Sequence, residues 1–283
     1  MLEERKIHSV LKSKETMEGA GVKLKRAFGQ DHPKLDPFLL LDDFHSDNPE
    51  DYIAGFPWHP HRGIETITYM LHGKIKHEDS LGNAGVIESG DVQWMTAGNG
   101  IIHQEMPERA EGLMGGFQLW ANLPSSHKMM NPRYRDIKKE DIPEIEVGGA
   151  KIKIICGEVK GTKGPVQDII TEPEYLDITI TQDSEFVHRV KKGHNVFAYV
   201  IQGEGYFNLE HNPLLNKDNL ILFEDGDVIK ISTEDSLLRF LLISGKPIGE
   251  PVAWHGPIVM NTQEEIRTAF TEYREGTFIR YTG

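Results

Sequence analysis

The chain has 283 residues with 44 acidic and 31 basic side chains, for a formal net charge of -13 with histidine neutral. A surface of that sign repels a phosphate backbone, so no direct nucleic-acid partner is expected, and the length argues for two cores rather than one. The single cysteine, Cys156, cannot close an intrachain disulfide, and neither a signal segment nor a membrane span is legible, so the expectation is a soluble cytoplasmic protein with no membrane partner.

In chain order, "IETITYML", "GDVQWMTA" and "GGFQLWANL" are short segments rich in β-branched and aromatic residues, closed by glycine, aspartate or proline. The charged stretch "NPRYRDIKKEDIPEIEVGGAK", with Pro132 and Pro143, then reads as a linker, dividing the chain into residues 1–135 and 136–283. Beyond it "KIKIICGEV", "EYLDITITQ", "NVFAYVIQG" and "SLLRFLLISG" return to the same vocabulary, which predicts an all-β sandwich or barrel. Cys156 falls in an apolar run and reads as a buried, inert thiol. Only "NTQEEIRTAFTEYREGTF" has helical spacing, placing Ile266, Phe270 and Tyr273 on one face and Glu264 and Glu265 in an early turn. One short helix over 262–275 is expected, packed across the junction of the halves. The halves also echo each other: Tyr69 and Gly73 before the Gly-Asp turn at Asp91 answer Tyr199 and Gly203 before the turn at Asp227. A tandem duplication accounts for this.

Two histidine-bearing segments carry the chemistry. "FPWHPHRG" holds His59 and His61, whose i, i+2 spacing aims both at one face of a strand. "GNGIIHQEMP" repeats the arrangement with His103 and Glu105. Three imidazoles and a carboxylate on two strands form a plausible centre for a divalent transition metal. Glu65, four residues after His61, competes with Glu105 as the carboxylate. Arg62 points away from His61 and reads as a structural ion pair. Trp94 and Met95 read as core, and Phe56 and Pro57 as candidates for the mouth of the pocket. His72, His77 and His127 have no partner at ligand spacing and read as solvated or hydrogen-bonded structural histidines.

The spacing of His59, His61, Glu65, Gly73, Gly90-Asp91 and His103 resembles the two motifs of the cupin β-barrels, in most of which the carboxylate would fall at Glu65. A closer resemblance is to the pirin family, a two-domain branch of the cupins. It is carried by "HPHRGIETITYMLHGKIKHEDSLGNAGVIESGDVQWMTAGNGIIHQEMP", by "FQLWANLP" and by "HGPIVMNTQEEIRTAFTEYREGTF". Thr96 in place of the second cupin motif's proline is a departure that pirins share. The resemblance implies two tandem cupin barrels, a bicupin, with a metal held in the first by His59, His61, His103 and Glu105, and Glu65 outside the ligand set. It favours Fe(II), while the donor types also suit Zn, Mn, Co, Ni or Cu.

The activity implied is that of a quercetin 2,3-dioxygenase, which opens a flavonol ring with dioxygen, with Glu105 as catalytic base as well as ligand. The alternative is an iron-binding, redox-sensing transcriptional co-regulator acting through protein partners; a purely structural metal is a third reading. In the second half, alignment on Tyr199 and Asp227 puts Arg189, Lys191, Arg239 and Leu241 at the ligand positions, with His188 and His194 out of register. A barrel with facing cations and no metal is expected there.

Overall fold

The computed structural model describes residues 2–30 and 35–280. It forms two compact units, each assembled from three separate stretches of chain. One combines Lys14–Pro33, Phe38–Lys139 and Ile248–Gly283; the other combines Met1–Ser13, Lys34–Pro37 and Glu140–Pro247. The chain passes from one unit to the other at 139/140, and both chain ends are exchanged. The first strand completes the core built from the second half, and the C-terminal tail completes the core built from the first. Local alternation says that a segment is a strand and nothing about which sheet it joins, so the exchange leaves no mark in the sequence pattern.

In the first unit a seven-stranded antiparallel sheet runs in the order Arg133–Ile137, Val92–Thr96, Ile64–His72, Gly115–Asn122, Phe38–Asp43, Val22–Phe28, Lys14–Glu18. A second sheet holds Phe56–His61, Ile101–Pro107, Lys74–Asp79 and Ala84–Glu88. Leu24, Met70 and Met114 meet Ile75 and Ile87 between the two sheets, so one end of the barrel closes on an apolar core. The tail adds the hairpin Ala253–His255/Ile258–Met260 and the helix Gln263–Glu275 to this unit. Thr262 and Glu265 cap the helix start reciprocally, and Gly276 ends it at φ 73°. Ile266 and Ala269 are buried with Phe278 against the hairpin, whereas Phe270 is partly covered and Tyr273 exposed.

The second unit repeats the large sheet strand for strand: Ile7–Lys12, Asn219–Phe223, Asn195–Gly205, Leu238–Gly245, Glu174–Ile180, Ala150–Cys156, Glu144–Val147. The bicupin architecture and the duplication are therefore visible in the topology. Its interior is apolar, with Phe186, Val196, Ile229, Ile231, Phe240 and Leu242 in one cluster. Cys156 is buried, its Sγ donating to the carbonyls of Val166 and Pro173.

The register of this unit corrects the expected alignment. In the first unit His59 pairs with His103 and His61 with Ile101; in the second Phe186 pairs with Ile231 and His188 with Ile229. Phe186, His188 and Ile231 thus stand where the three histidines stand. Arg189, one residue further, is exposed, Lys191 is exposed and bonded to Glu172, and Arg239 forms a two-pronged pair with Asp177 at 3.0 and 2.7 Å. Leu241 is core. No group of facing cations forms, because Arg239 lies on a strand of the large sheet, paired with Glu174–Ile180, and not on the strand Val228–Ser232 that faces His188. His188 is held by Glu174 at 2.9 Å and stacks on Phe186.

Lys128 pins the tail to the first unit. Its buried ammonium donates to the carbonyls of Gly63 and Val259 at 2.9 and 3.0 Å and to Asn122 Oδ1 at 2.6 Å, all neutral acceptors. Burial without a contacting carboxylate lowers its pKa from 10.5 to about 8. Between those values the unfolded chain holds a proton that the folded one has released, so rising pH adds stability through this group. The melting temperature of the wild type should therefore gain on that of Lys128→Met as pH rises from 8 to 10.5. A constant difference across that window would contradict the burial argument.

Candidate metal centre

The strand Phe56–His61 delivers His59 and His61, and Ile101–Pro107 delivers His103 opposite His59. The three rings converge, with centroids 4.4 to 5.0 Å apart and one nitrogen from each within 4.8 Å of the others. Among the described residues this is the only group of three or more candidate ligands gathered in that way.

The hydrogen bonds fix which nitrogen faces the centre. His59 Nδ1 is 2.9 Å from the carbonyl of Pro57, and His61 Nδ1 is 2.9 Å from the carbonyl of Pro257. A carbonyl oxygen only accepts, so each Nδ1 carries the proton and each Nε2 presents a lone pair. Those two Nε2 atoms are 3.0 Å apart. Two lone pairs at that distance repel unless a cation lies between them. His103 is fully buried, and neither of its nitrogens has a hydrogen-bond partner in the protein. Burial, reinforced by the neighbouring imidazoles, holds His61 and His103 well below the usual histidine pKa, and burial lowers that of His59 as well. Three neutral imidazoles with converging lone pairs fit a divalent transition metal.

Glu105 is buried but does not belong to the 4.8 Å group. Its Oε1 accepts from Thr68 Oγ1 at 3.0 Å and its Oε2 from Gln118 Nε2 at 2.9 Å. Glu65 also lies outside the group, accepting from Thr96 Oγ1 at 2.6 Å, and burial pushes its pKa up. Arg62 is structural: its guanidinium is buried, 2.7 Å from Glu272, donates to the carbonyls of Asn99 and Phe278, and lies 4.2 Å over the Phe278 ring. Trp94 and Met95 are core.

His127 is half-buried against Ser126, and His72 is exposed. His77 departs from expectation. It is wholly buried, its ring 5.2 Å from that of His103, and its nitrogens have no hydrogen-bond partner, with Asp79 Oδ2 at 3.7 Å. The signal was the alternation of "KIKHED", which turns Ile75, His77 and Asp79 inward together.

A cleft of about 560 Å³ opens over His59 and His61. Phe56, Trp120 and Trp254 form apolar walls, and Gln118, Arg26 and Asp42 supply polar groups. Trp120 stands edge-on to His61 at 5.0 Å and 6.0 Å from Trp254. Arg26 holds Asp42 through two bonds of 2.8 Å. Sequence reasoning missed Trp120, Trp254, Gln118, Arg26 and Asp42, although the i, i+2 spacing of Gln118 and Trp120 in "GGFQLWANL" already placed them on one face.

Comparison with known proteins gives a consistent result. The family model described as Pirin matches residues 21–121, and that described as Pirin C-terminal cupin domain matches residues 175–279. A Pseudomonas aeruginosa protein provisionally named quercetin 2,3-dioxygenase is 44% identical over 265 residues, 92% of this chain and 93% of the relative. Mouse pirin is 39% identical over 278 residues, 97% of this chain and 94% of the relative. The crystal structure of quercetin 2,3-dioxygenase from Acinetobacter baumannii superposes with a TM-score of 0.90 at 32% identity, covering 97% of this chain and 98% of that one.

Replacing His61 by alanine removes one of two opposed lone pairs and should abolish stoichiometric metal binding while leaving the β-sheet circular dichroism unchanged. Full metal content in that variant, measured by elemental analysis, would sink the assignment.

Proposed function

The chain belongs to the pirin family, and on that footing we propose that it is a cytoplasmic, metal-dependent dioxygenase of the quercetin 2,3-dioxygenase type, cleaving a flavonol with dioxygen. The observation that carries this reading is an aromatic-walled cleft opening directly over converging, neutral imidazoles. His59, His61 and His103 supply three ligands and Glu105 the fourth, with Fe(II) as the first candidate ion. The 3.0 Å separation of the two Nε2 atoms supports a shared ion, which His59, His61, His103 and Glu105 would hold.

When bound, the ion supplies Lewis acidity and a route for electrons between the flavonol oxygen and dioxygen. The protein's own groups do the rest. Trp120, Trp254 and Phe56 hold a planar ring system and keep water from its face. Thr68 and Gln118 donate to the two oxygens of Glu105, and Glu105 receives the proton of the flavonol 3-hydroxyl. In this reading the second unit binds no ion, since Phe186 and Ile231 replace two histidines and Glu174 occupies His188.

The test is anaerobic reconstitution with Fe(II), Mn, Co, Ni, Cu and Zn in turn, followed by oxygen and quercetin. Quercetin loss with matching carbon monoxide release in at least one metal form is expected. Failure of every form would favour the co-regulator reading. In the active form Glu105→Gln should lower turnover about 100-fold and metal occupancy by far less. Equal losses would make Glu105 a ligand only.

A further inference from the structure

Gln118 stands between the cleft and Glu105. It leaves the strand Gly115–Asn122 on the same face as Trp120, and its ladder neighbours are Thr68 on one side and Asp42 on the other. Its amide is engaged at both ends. Oε1 accepts from Trp120 Nε1 at 3.2 Å, while Nε2 donates to Glu105 Oε2 at 2.9 Å and lies 3.4 Å from Thr68 Oγ1. An indole N–H can only donate and an ionised carboxylate can only accept. Flipping the amide would therefore set donor against donor at Trp120 and acceptor against acceptor at Glu105. Thr68 Oγ1 holds the other carboxylate oxygen, so two neutral donors from adjacent strands fix both. At the far end of this chain of bonds Trp120 packs edge-on to His61 and lines the cleft.

We infer that Gln118 is a positioning residue that sets the Glu105 carboxylate beside the three histidines and couples it, through Trp120, to the occupant of the cleft. The inference rests on the metal-site reading above, and not on the oxygenase reading. Partners that orient a ligating carboxylate commonly carry ten- to a hundredfold of metal affinity. By linkage, an occupant that displaces Trp120 must change that affinity, and the metal must change the occupant's affinity by the same factor.

The experiment titrates the metal-free full-length protein with Co(II) against a chromophoric chelator, for wild type, Gln118→Met, Glu105→Gln and the double variant. Gln118→Met keeps the length of the side chain and removes its donor and acceptor. It should weaken Co(II) binding about 10- to 100-fold, shift the visible absorption of the bound ion, and add less than about twofold in the Glu105→Gln background. Wild-type affinity and spectrum in Gln118→Met, or effects that multiply in the double variant, would overturn the inference. If Gln118→Met does not fold, Thr68→Val tests the same carboxylate through its other oxygen by the same criteria. Weakened Co(II) binding in a protein that releases no carbon monoxide from quercetin would keep the positioning role and remove only the oxygenase reading.

Discussion

Two backbone carbonyls, of Pro57 and Pro257, determine what the histidine cluster can be. By accepting from the Nδ1–H groups of His59 and His61 they turn both Nε2 lone pairs toward one point, and desolvation of buried His61 and His103 and of half-buried His59 lowers all three pKa values. One of these carbonyls is local to the first strand; the other comes from a tail almost 200 residues later in the chain. The site therefore depends on how that tail is held. Arg62, next to His61, reaches Glu272 and Phe278 of the tail, and Lys128 reaches Val259. Both are buried cations with every bond directed at a fixed acceptor, an arrangement that specifies position more than it adds net stability.

The two units show what such a site demands of a barrel. Their large sheets have the same strand order, yet the first unit turns Thr68, Gln93, Glu105 and Gln118 inward while the second fills the same space with isoleucine, leucine, valine and phenylalanine. Buried polar groups are tolerable only when they are bonded, and in the first unit Thr96, Thr68 and Gln118 serve the two glutamates. The second barrel, with Phe186 and Ile231 at the ligand register, has the simpler core. One copy carries the bonded polar groups, and the other is packed as an ordinary apolar interior.

The strands, the duplication and the histidine triad were legible because each is a local pattern: alternation, a repeated central strand, and i, i+2 spacing. What was not legible was long-range. The exchange of chain ends depends on sheet pairing across more than 200 residues. The second barrel's register failed because the two Gly-Asp turns do not correspond: Asp91 precedes the strand paired with Ile64–His72, whereas Asp227 precedes the strand paired with Glu185–Arg189, and His188 proved to be the one histidine in the ligand register. His77 was misplaced for a different reason: it was judged by its distance from other histidines rather than by the strand that carries it. Trp254 enters the cleft from the tail, so no spacing along the chain connects it with Trp120.

The most direct test of the central claim, that the two Pro carbonyls and burial create one metal centre, is anomalous scattering from crystals of the protein grown with a transition metal. A single strong peak is expected in the first unit about 2.1 Å from the Nε2 atoms of both His59 and His61, with His103 completing the trio. A peak on the Nδ1 side of either ring, or one centred on His188 in the second unit with none at the triad, would contradict it.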